Sequence, residues 1–218
     1  MKRIMCYGDS NTFGYDARRY LIDGTTGRYD ENTRWTGLLA KKLGSRYQII
    51  EEGFCGRTTV FEDSTAYGRN GFPYTDIAFG THDPLDLILI MLGTNDVKDM
   101  FAAQPLNIAN GMERLIVRFR ELISESLNPE TGILIIAPPP VTACADGSYL
   151  YGFSAASEEK GKKLAGYYRK LAEKYHCLFA DAGEWIRPDA SDGTHFSPEG
   201  HAVFAEHAAG IIQNAVRC

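Results

Sequence analysis

The clearest strand signal in this 218-residue chain is the run Leu85-Asp86-Leu87-Ile88-Leu89-Ile90-Met91-Leu92. All of its residues except Asp86 are apolar, and Gly93 follows it directly. A short, continuous apolar run of this kind is typical of a central parallel strand that is buried on both faces. Because such a strand needs helices on both sides, the surrounding sequence should alternate between strands and amphipathic helices.

The remaining sequence has this alternation. Further strands are predicted at Ile4–Tyr7, Tyr47–Glu51, Ile133–Ala137 and Cys177–Ala180, and helices at Thr33–Leu43, Pro105–Ser126, Ser157–Tyr175 and Pro198–Val216. Gly53–Gly80 has no periodicity and is interpreted as a long functional loop with one short helix, and residues 141–154 as a second loop. The pattern predicts an α/β fold, a three-layer flavodoxin-like sandwich with a five-stranded parallel sheet, in one domain spanning residues 1–218.

Composition and charge narrow the function classes. The chain is 44% hydrophobic and 23% charged, with a net charge of −5 and no run of Lys or Arg. These values are ordinary for a globular enzyme and argue against nucleic acid or a membrane surface as the main partner. No metal ligand pattern or cofactor motif is present, so we expect neither a metal nor a cofactor.

The cysteines and the first residues bear on the cellular compartment. Cys6, Cys55, Cys144, Cys177 and Cys218 are odd in number and irregularly spaced, which favours free thiols in a reducing compartment. The apolar stretch before Gly8 is too short for a signal-peptide core. We therefore expect a cytoplasmic protein.

A candidate catalytic pair lies near the end of the chain. Asp192 and His195 are three residues apart with Gly193 between them, so one tight turn can direct the carboxylate to the imidazole Nδ1. Taken alone, the tetrapeptide Asp192-Gly193-Thr194-His195 is more often a plain surface turn. Ser10, which follows the first predicted strand, would complete a nucleophile–base–acid triad with this pair.

The loops after the predicted strands contain further groups suited to acyl transfer. Parallel strands bring the loops at their carboxyl ends to one edge of the sheet, so Ser10, Gly56, Asn95 and His195 should meet there. The backbone N–H groups of Ser10 and Gly56 and the side-chain amide of Asn95 could stabilise an oxyanion. Glycine at 56 would allow close approach of substrate, although a simple turn glycine is an equal alternative.

These residues also carry a family resemblance. Gly8-Asp9-Ser10, Gly56, Gly93-Thr94-Asn95-Asp96 and Asp192-x-x-His195 resemble, in order, the four sequence blocks of the SGNH hydrolases, or GDSL-type esterases. Arg34-Trp35-Thr36-Gly37, Glu51-Glu52-Gly53 and Ile90–Asp96 are similar to its arylesterase and acyltransferase subgroup, which includes perhydrolase-type enzymes.

The resemblance implies a serine esterase for small-molecule, acetyl-like carboxylic esters. It places the nucleophile on Ser10, oxyanion donors on Gly56 and Asn95, and the other triad members on Asp192 and His195. It also implies acyl transfer beside hydrolysis and a homo-oligomer. Two departures from the family pattern are Asn11, where leucine often follows the serine, and Glu51, where many relatives have asparagine.

Aromatic residues in the same loops predict a crowded pocket for short acyl groups. Phe13, Tyr15, Phe153 and Phe196 are the candidate rings, although each is as well explained by the core. Asp9, Asn11 and Thr94 flank the catalytic groups and complete the predicted pocket, with a helix cap as the alternative for Asp9.

Two other readings of the sequence stay open. Within the esterase class, an acetylated carbohydrate is an alternative substrate. Outside it, Gly8–Thr12 after a first strand could hold phosphate at a helix N-terminus, or the chain could be a non-catalytic module on the same fold. The loop lacks a P-loop lysine and the G-x-G-x-x-G spacing, which weighs against nucleotide binding.

Overall fold

A computed structural model describes residues 1–216. The five strands are β1 (Lys2–Gly8), β2 (Tyr47–Gly53), β3 (Leu87–Met91), β4 (Gly132–Ala137) and β5 (Leu178–Asp181). The helices are α1 (Ser10–Phe13), α2 (Ala17–Asp23), α3 (Trp35–Leu43), α4 (Thr75–His82), α5 (Pro105–Ser124), α6 (Ala155–Tyr175) and α7 (Pro198–Ala215). Short 3₁₀ helices cover Phe72–Tyr74, Asn95–Val97, Asp99–Phe101 and Ala182–Glu184.

The strands form one parallel sheet in the order β2-β1-β3-β4-β5. The chain leaves β1 to form β2 on one side and then crosses to β3 on the other. In such sheets the crevice between the diverging connections lies at the carboxyl ends of the strands. Ser10 follows β1 at this position, which makes this edge the place to look for a site.

Two hydrophobic cores hold helices against the two faces of the sheet. On one face, Ile4 and Cys6 of β1 belong to a buried cluster with Trp35 of α3 and Phe204 of α7. On the other face, Met5 and Tyr7 pack with apolar residues of α4, α5 and α6. The alternation along β1 therefore separates the two helical layers, and the three-layer α/β sandwich with a five-stranded parallel sheet is confirmed.

The predicted core elements are all present, with shifts of a few residues at their ends. The central strand is shorter than its apolar run, because Asp86 leaves the strand to accept hydrogen bonds from Lys2 Nζ (2.9 Å) and Arg3 N (2.8 Å). Helix α1 was predicted only as the helix that Asp9 could cap, and helix α2 was not predicted. Helix α2 carries exposed apolar side chains such as Ile22, 84% exposed, so it has no buried stripe to give it a periodic pattern.

One sheet with its helices accounts for residues 2–215, and we propose that the chain is a single domain. Cys218, predicted as a free thiol, lies outside the described residues. Within residues 1–216, none of the helices has the length and hydropathy required to cross a membrane.

Candidate active site

Three side chains from opposite ends of the chain form a hydrogen-bonded chain at the carboxyl edge of the sheet. Ser10 begins α1 directly after β1, and its Oγ lies 2.9 Å from Nε2 of His195. Nδ1 of the same imidazole lies 2.5 Å from Oδ2 of Asp192. All three residues are buried, with between 1 and 7% of their surface exposed. The arrangement can transfer a proton from the serine hydroxyl to the imidazole while the carboxylate holds the imidazole tautomer.

The local turn explains how two residues only three positions apart can pair. Oδ1 of Asp192 accepts hydrogen bonds from the N–H groups of Thr194 (2.9 Å) and His195 (3.0 Å), which leaves Oδ2 for the imidazole. Gly193 has φ +66°, and a Cβ there would lie 2.0 Å from the carbonyl oxygen of Thr142. Only glycine fits this turn without moving backbone.

The carboxylate of the pair is held in its charged form. Burial alone would raise the pKa of Asp192, but the hydrogen bond from His195 and the charge of its imidazolium bring the pKa below its ordinary value. An ionised carboxylate at this position can stabilise an imidazolium during a reaction.

Asn11 ties the loop of Ser10 to the loop of His195. Its Nδ2 donates to the carbonyl oxygen of Thr194 at 3.3 Å, and its Oδ1 accepts from the N–H of Phe196 at 3.0 Å. The amide therefore bonds to the residues on both sides of the imidazole. Leucine, which is common at this position in the family that the sequence resembles, could make neither bond.

Ser10, Gly56 and Asn95 line one cavity, and each carries an N–H group that is a candidate oxyanion donor. Within the described residues, the backbone N–H groups of Ser10 and Gly56 have no acceptor, so both are available. Asn95 uses one amide N–H for the carbonyl oxygen of Arg57 (3.1 Å), and the second N–H remains. Gly56 adopts φ +79°, a backbone conformation that favours glycine, and the space where its Cβ would lie is occupied by Nη1 of Arg69.

Buried hydrogen bonds between Asp96 and Thr59 connect the loops that carry Gly56 and Asn95. Asp96, next to Asn95, accepts from the N–H of Thr59 at 2.9 Å and also from its hydroxyl. Burial raises the pKa of Asp96 to about 6, although the Thr59 donors lower it. Sequence reasoning gave this aspartate no role, because its partner lies 37 residues away in an aperiodic loop.

Glu51, near the end of β2, holds together segments that flank the site. Its Oε1 accepts from Arg34 Nε (2.8 Å) and Thr36 Oγ1 (2.6 Å), and its Oε2 from Arg28 Nη2 (2.6 Å). Burial alone would raise the pKa of Glu51, but these donors bring it below its ordinary value. Arg28 also donates to the carbonyl oxygen of Phe13 (2.7 Å), so the glutamate that departs from the family pattern braces the segment after Ser10.

The triad opens into a cavity of about 300 Å³. Its lining residues are Ser10, Tyr15, Tyr20, Thr26, Cys55, Gly56, Arg69, Asn95, Lys98, Tyr151, Phe153, Thr194 and His195. The rings of Tyr15 and Tyr151 lie 4.5 and 5.6 Å from the imidazole of His195, measured between ring centroids. Of the predicted pocket residues, Tyr15 and Phe153 therefore line the cavity.

The other predicted pocket residues lie elsewhere and are corrected. Phe196 is 1% exposed and packs on Phe204 in the core, while Phe13 lies under the guanidinium of Arg28 outside the cavity. Asp9, Asn11 and Thr94 are buried behind the catalytic groups and do not reach the lining. Asp9 instead caps α1 by accepting from the N–H of Asn11 at 3.0 Å.

Seven lining residues were missed by sequence reasoning: Tyr20, Thr26, Cys55, Arg69, Lys98, Tyr151 and Thr194. They come from loops and from the exposed helix α2, where no periodicity indicates which side chain turns inward. The thiol of Cys55 is not activated, since burial and the charge of Asp9 raise its pKa to about 11.

Two other titratable residues, Asp189 and His201, lie outside the chain of contacts from Asp192 to Ser10. Asp189 accepts from the N–H of Ser191 (2.9 Å) and lies 3.8 Å from Arg18, so its carboxylate faces away from the imidazole. His201 is fully buried, and its Nδ1 accepts from the N–H of Trp35 at 3.2 Å. Burial, helped by the charge of His195, lowers the pKa of His201 to about 3 and keeps it neutral.

Together, the parallel sheet, the Ser–His–Asp chain and the three N–H donors define a hydrolase of the serine-nucleophile class. Comparison with known proteins gives the family: residues 6–203 match the model of the GDSL-like lipase/acylhydrolase family, and the chain belongs to it. It is a carboxylic ester hydrolase with the SGNH hydrolase fold.

Solved structures of relatives superimpose over nearly the whole chain. The native aryl esterase of M. smegmatis is 34% identical, with a TM-score of 0.90, over 99% of this chain and 100% of that one. Est24, a carbohydrate acetylesterase from Sinorhizobium meliloti, is 36% identical, also with a TM-score of 0.90, over 98% of this chain and 99% of that one. A GDSL esterase/lipase of Arabidopsis thaliana is 22% identical over 88% of this chain and 84% of its own length.

Proposed function

We propose that Ser10 is the nucleophile of this esterase, His195 its general base and acid, and Asp192 the residue that orients the imidazole. The observation that carries the proposal is the unbroken set of contacts from Asp192 through His195 to Ser10, opening into the cavity. Ser10, Gly56 and Asn95 supply the oxyanion donors.

The reaction takes two steps through an acyl-enzyme. Ser10 Oγ attacks the ester carbonyl carbon while its proton passes to Nε2 of His195, and the carbonyl oxygen takes up negative charge beside the donors. The C–O bond to the alcohol then breaks, and His195 returns the proton to the departing oxygen. Water attacks the acyl-serine with the same proton relay, releasing a carboxylic acid and restoring Ser10.

A short acyl group suits the dimensions of the cavity. A volume of about 300 Å³ is at the lower end for small-molecule sites, so acetyl to butyryl esters should be accepted and long chains rejected. Aryl esters and acetylated carbohydrates are the two candidate substrate classes, on the strength of the named relatives. The tyrosine rings around His195 favour an aromatic alcohol, since they offer stacking surfaces.

Acyl transfer to an alcohol or peroxide is part of the proposal. Tyr15, Tyr151 and Phe153 surround the acyl-serine with rings that restrict water, which lets another acceptor compete for the carbonyl. Partition of acetyl between water and a small alcohol tests this point: an enzyme that yields only free acid at high alcohol is a hydrolase alone.

The phosphate-binding alternative fits the geometry poorly. Helix α1 is a single turn, and the carboxylate of Asp9 already accepts the N–H of Asn11, one of the groups that phosphate would need. A non-catalytic module would have no reason to keep the buried proton relay.

Compartment and assembly are also proposed. The described cysteines Cys6, Cys55, Cys144 and Cys177 are all free thiols, which supports a reducing compartment such as the cytoplasm. The fully exposed Tyr67, together with Leu21 and Ile22 on α2, supports a homo-oligomer. Light scattering of the purified protein tests the assembly, and a monomer at micromolar concentration contradicts it.

Covalent labelling tests the nucleophile. A fluorophosphonate probe should label the wild type and the Ser45→Ala control, whose serine is exposed in the turn before β2. Ser10→Ala should abolish both labelling and ester turnover while its circular dichroism and melting temperature stay unchanged. Retained esterase activity in Ser10→Ala refutes the assignment.

A further inference from the structure

The cavity is lined by two cationic side chains, Arg69 and Lys98, for which the described residues provide no ion-pair partner. Arg69 and Lys98 both line it, and neither takes part in an ion pair or a side-chain hydrogen bond among the residues that the structure describes. Each instead lies near an aromatic ring, with Lys98 Nζ 5.4 Å from the centre of Phe153 and Arg69 5.9 Å from that of Phe54. Arginine and lysine enclosed in a protein usually pair with an anion, because leaving water unpaired is costly.

These cations stand beside the proposed oxyanion donors. Nη1 of Arg69 occupies the space where a side chain on Gly56 would begin, as the 1.4 Å approach to a Cβ shows. Lys98 follows Asn95 by three residues, and its N–H donates to the Asn95 carbonyl oxygen at 3.2 Å. Both cationic side chains line the same cavity as Ser10, so a small ester bound at Ser10 can reach them.

The two charges act on one another across the cavity. Burial lowers the pKa of Lys98, and the charge of Arg69 lowers it further. The charges of Asp63, Asp9 and Asp96 act in the opposite direction on Lys98. Among the described residues, however, none of the three carboxylates is hydrogen-bonded or ion-paired to either cation: Asp63 accepts from Thr65, Asp96 from Thr59 and Asp9 from Asn11. A bound anion would relieve the repulsion between the two cations and regain the electrostatic energy lost on burial.

We propose that Arg69 and Lys98 form an anion subsite, so that the preferred substrate is a short ester that also bears a carboxylate or a similar anionic group. This inference rests on the proposed function, since the subsite is defined relative to Ser10. The anionic group can belong to the acyl part or to the alcohol part of the ester. Arg69 and Lys98 are then residues that determine specificity, while the ester chemistry stays with the triad.

Matched pairs of esters test the subsite on both parts of the substrate. The alcohol arm compares 4-acetoxybenzoate with its neutral amide, 4-acetoxybenzamide, and the acyl arm compares monomethyl succinate with methyl succinamate. In each pair a carboxylate is replaced by an amide of nearly equal size. The measured quantity is the ratio of kcat/KM for the anionic member to that for the neutral member, in wild type, Arg69→Gln, Lys98→Gln and the double variant.

The wild type should prefer the anionic member in at least one arm, and that arm identifies which part of the ester reaches the subsite. Arg69→Gln should lower the ratio in that arm by roughly tenfold, as expected for one charge-assisted hydrogen bond, and the double variant should lower it further. The preference should also weaken as salt is added. Lys163→Gln removes a charge from the exposed face of α6 and should leave the ratio unchanged.

Two outcomes overturn the subsite while leaving the esterase intact. A wild type that hydrolyses both members of each pair equally has no anion preference. Equal losses on anionic and neutral esters in Arg69→Gln would instead mean that the guanidinium acts on the oxyanion of every substrate. A wild type that hydrolyses none of the four esters and is not labelled at Ser10 would refute the proposed function itself.

Discussion

Replacing Asp192 by asparagine removes one charge and almost no volume, and it should nearly abolish turnover. In the wild type, Oδ1 of Asp192 accepts two backbone N–H groups and Oδ2 faces Nδ1 of His195 at 2.5 Å. The amide oxygen of asparagine must keep the two backbone donors, because the opposite orientation would place N–H against N–H. The amide nitrogen then faces Nδ1, which has to accept.

Replacing the oxygen that faces Nδ1 by an amide nitrogen forces the imidazole into the wrong tautomer. With Nδ1 as an acceptor, the proton resides on Nε2, which can no longer accept the proton of Ser10 across their 2.9 Å contact. Loss of the correct tautomer costs on the order of 10⁴ in kcat in the serine-protease triad, equivalent to about 5.5 kcal/mol of activation free energy. We expect a loss of this size here, with little change in KM.

The assay is the initial rate of 4-nitrophenyl acetate hydrolysis, with the melting temperature recorded to show that Asp192→Asn is folded. Asp189→Asn is the matched control, since the Asp189 carboxylate contacts Ser191 and Arg18. This substitution should lower kcat by less than tenfold. An Asp192→Asn enzyme within tenfold of wild type would refute the tautomer argument. A larger loss in Asp189→Asn would transfer the role to that residue.

Three further predictions concern the surrounding framework. Asn95→Ala removes one oxyanion donor and should lower kcat by roughly 10²- to 10³-fold in the same assay, and an unchanged kcat would exclude it from the oxyanion site. Glu51→Gln removes the charge shared by Arg28 and Arg34 and should lower the free energy of unfolding in urea by about 2 kcal/mol, whereas the exposed Glu130→Gln should not. In the folded protein His201 stays neutral, because burial lowers its pKa to about 3. Between the ordinary pKa of histidine and pH 3, the unfolded chain therefore binds a proton that the folded protein does not. Wild-type stability should therefore fall by about 2.5 kcal/mol more than that of His201→Gln between pH 7 and 4.5, and equal slopes would contradict the assignment.

The framework of the fold was predictable because burial leaves a periodic signature. Two-sided burial makes β3 a continuous apolar run, and one-sided burial gives α5 a stripe that includes Leu115 and Phe119. The turn from Asp192 to His195 was also predictable, because its hydrogen bonds join neighbours in sequence. Parallel topology then brought Ser10 to the same edge.

The cavity lining was less predictable, since it depends on contacts between distant loops. Phe13 and Phe196 are as close in sequence to catalytic residues as Tyr15 is, yet the first lies under Arg28 and the second joins the core. Arg69 lies in a loop without periodicity, so only its three-dimensional position beside Gly56 gives it a role. Sequence distance from a catalytic residue does not determine the direction of a side chain.

The bonds that join Asn11 to Thr194 and Phe196 bear on when during synthesis the enzyme becomes active. The proposed nucleophile, Ser10, is made first and the proposed base, His195, 185 residues later, and Asn11 connects the two loops over the same span. A nascent chain that stops before residue 195 has a serine but no group to activate it. Ester hydrolysis by the proposed triad can therefore begin only after the segment that carries His195 has packed beside β1, so growing chains should not form acyl-enzymes before then.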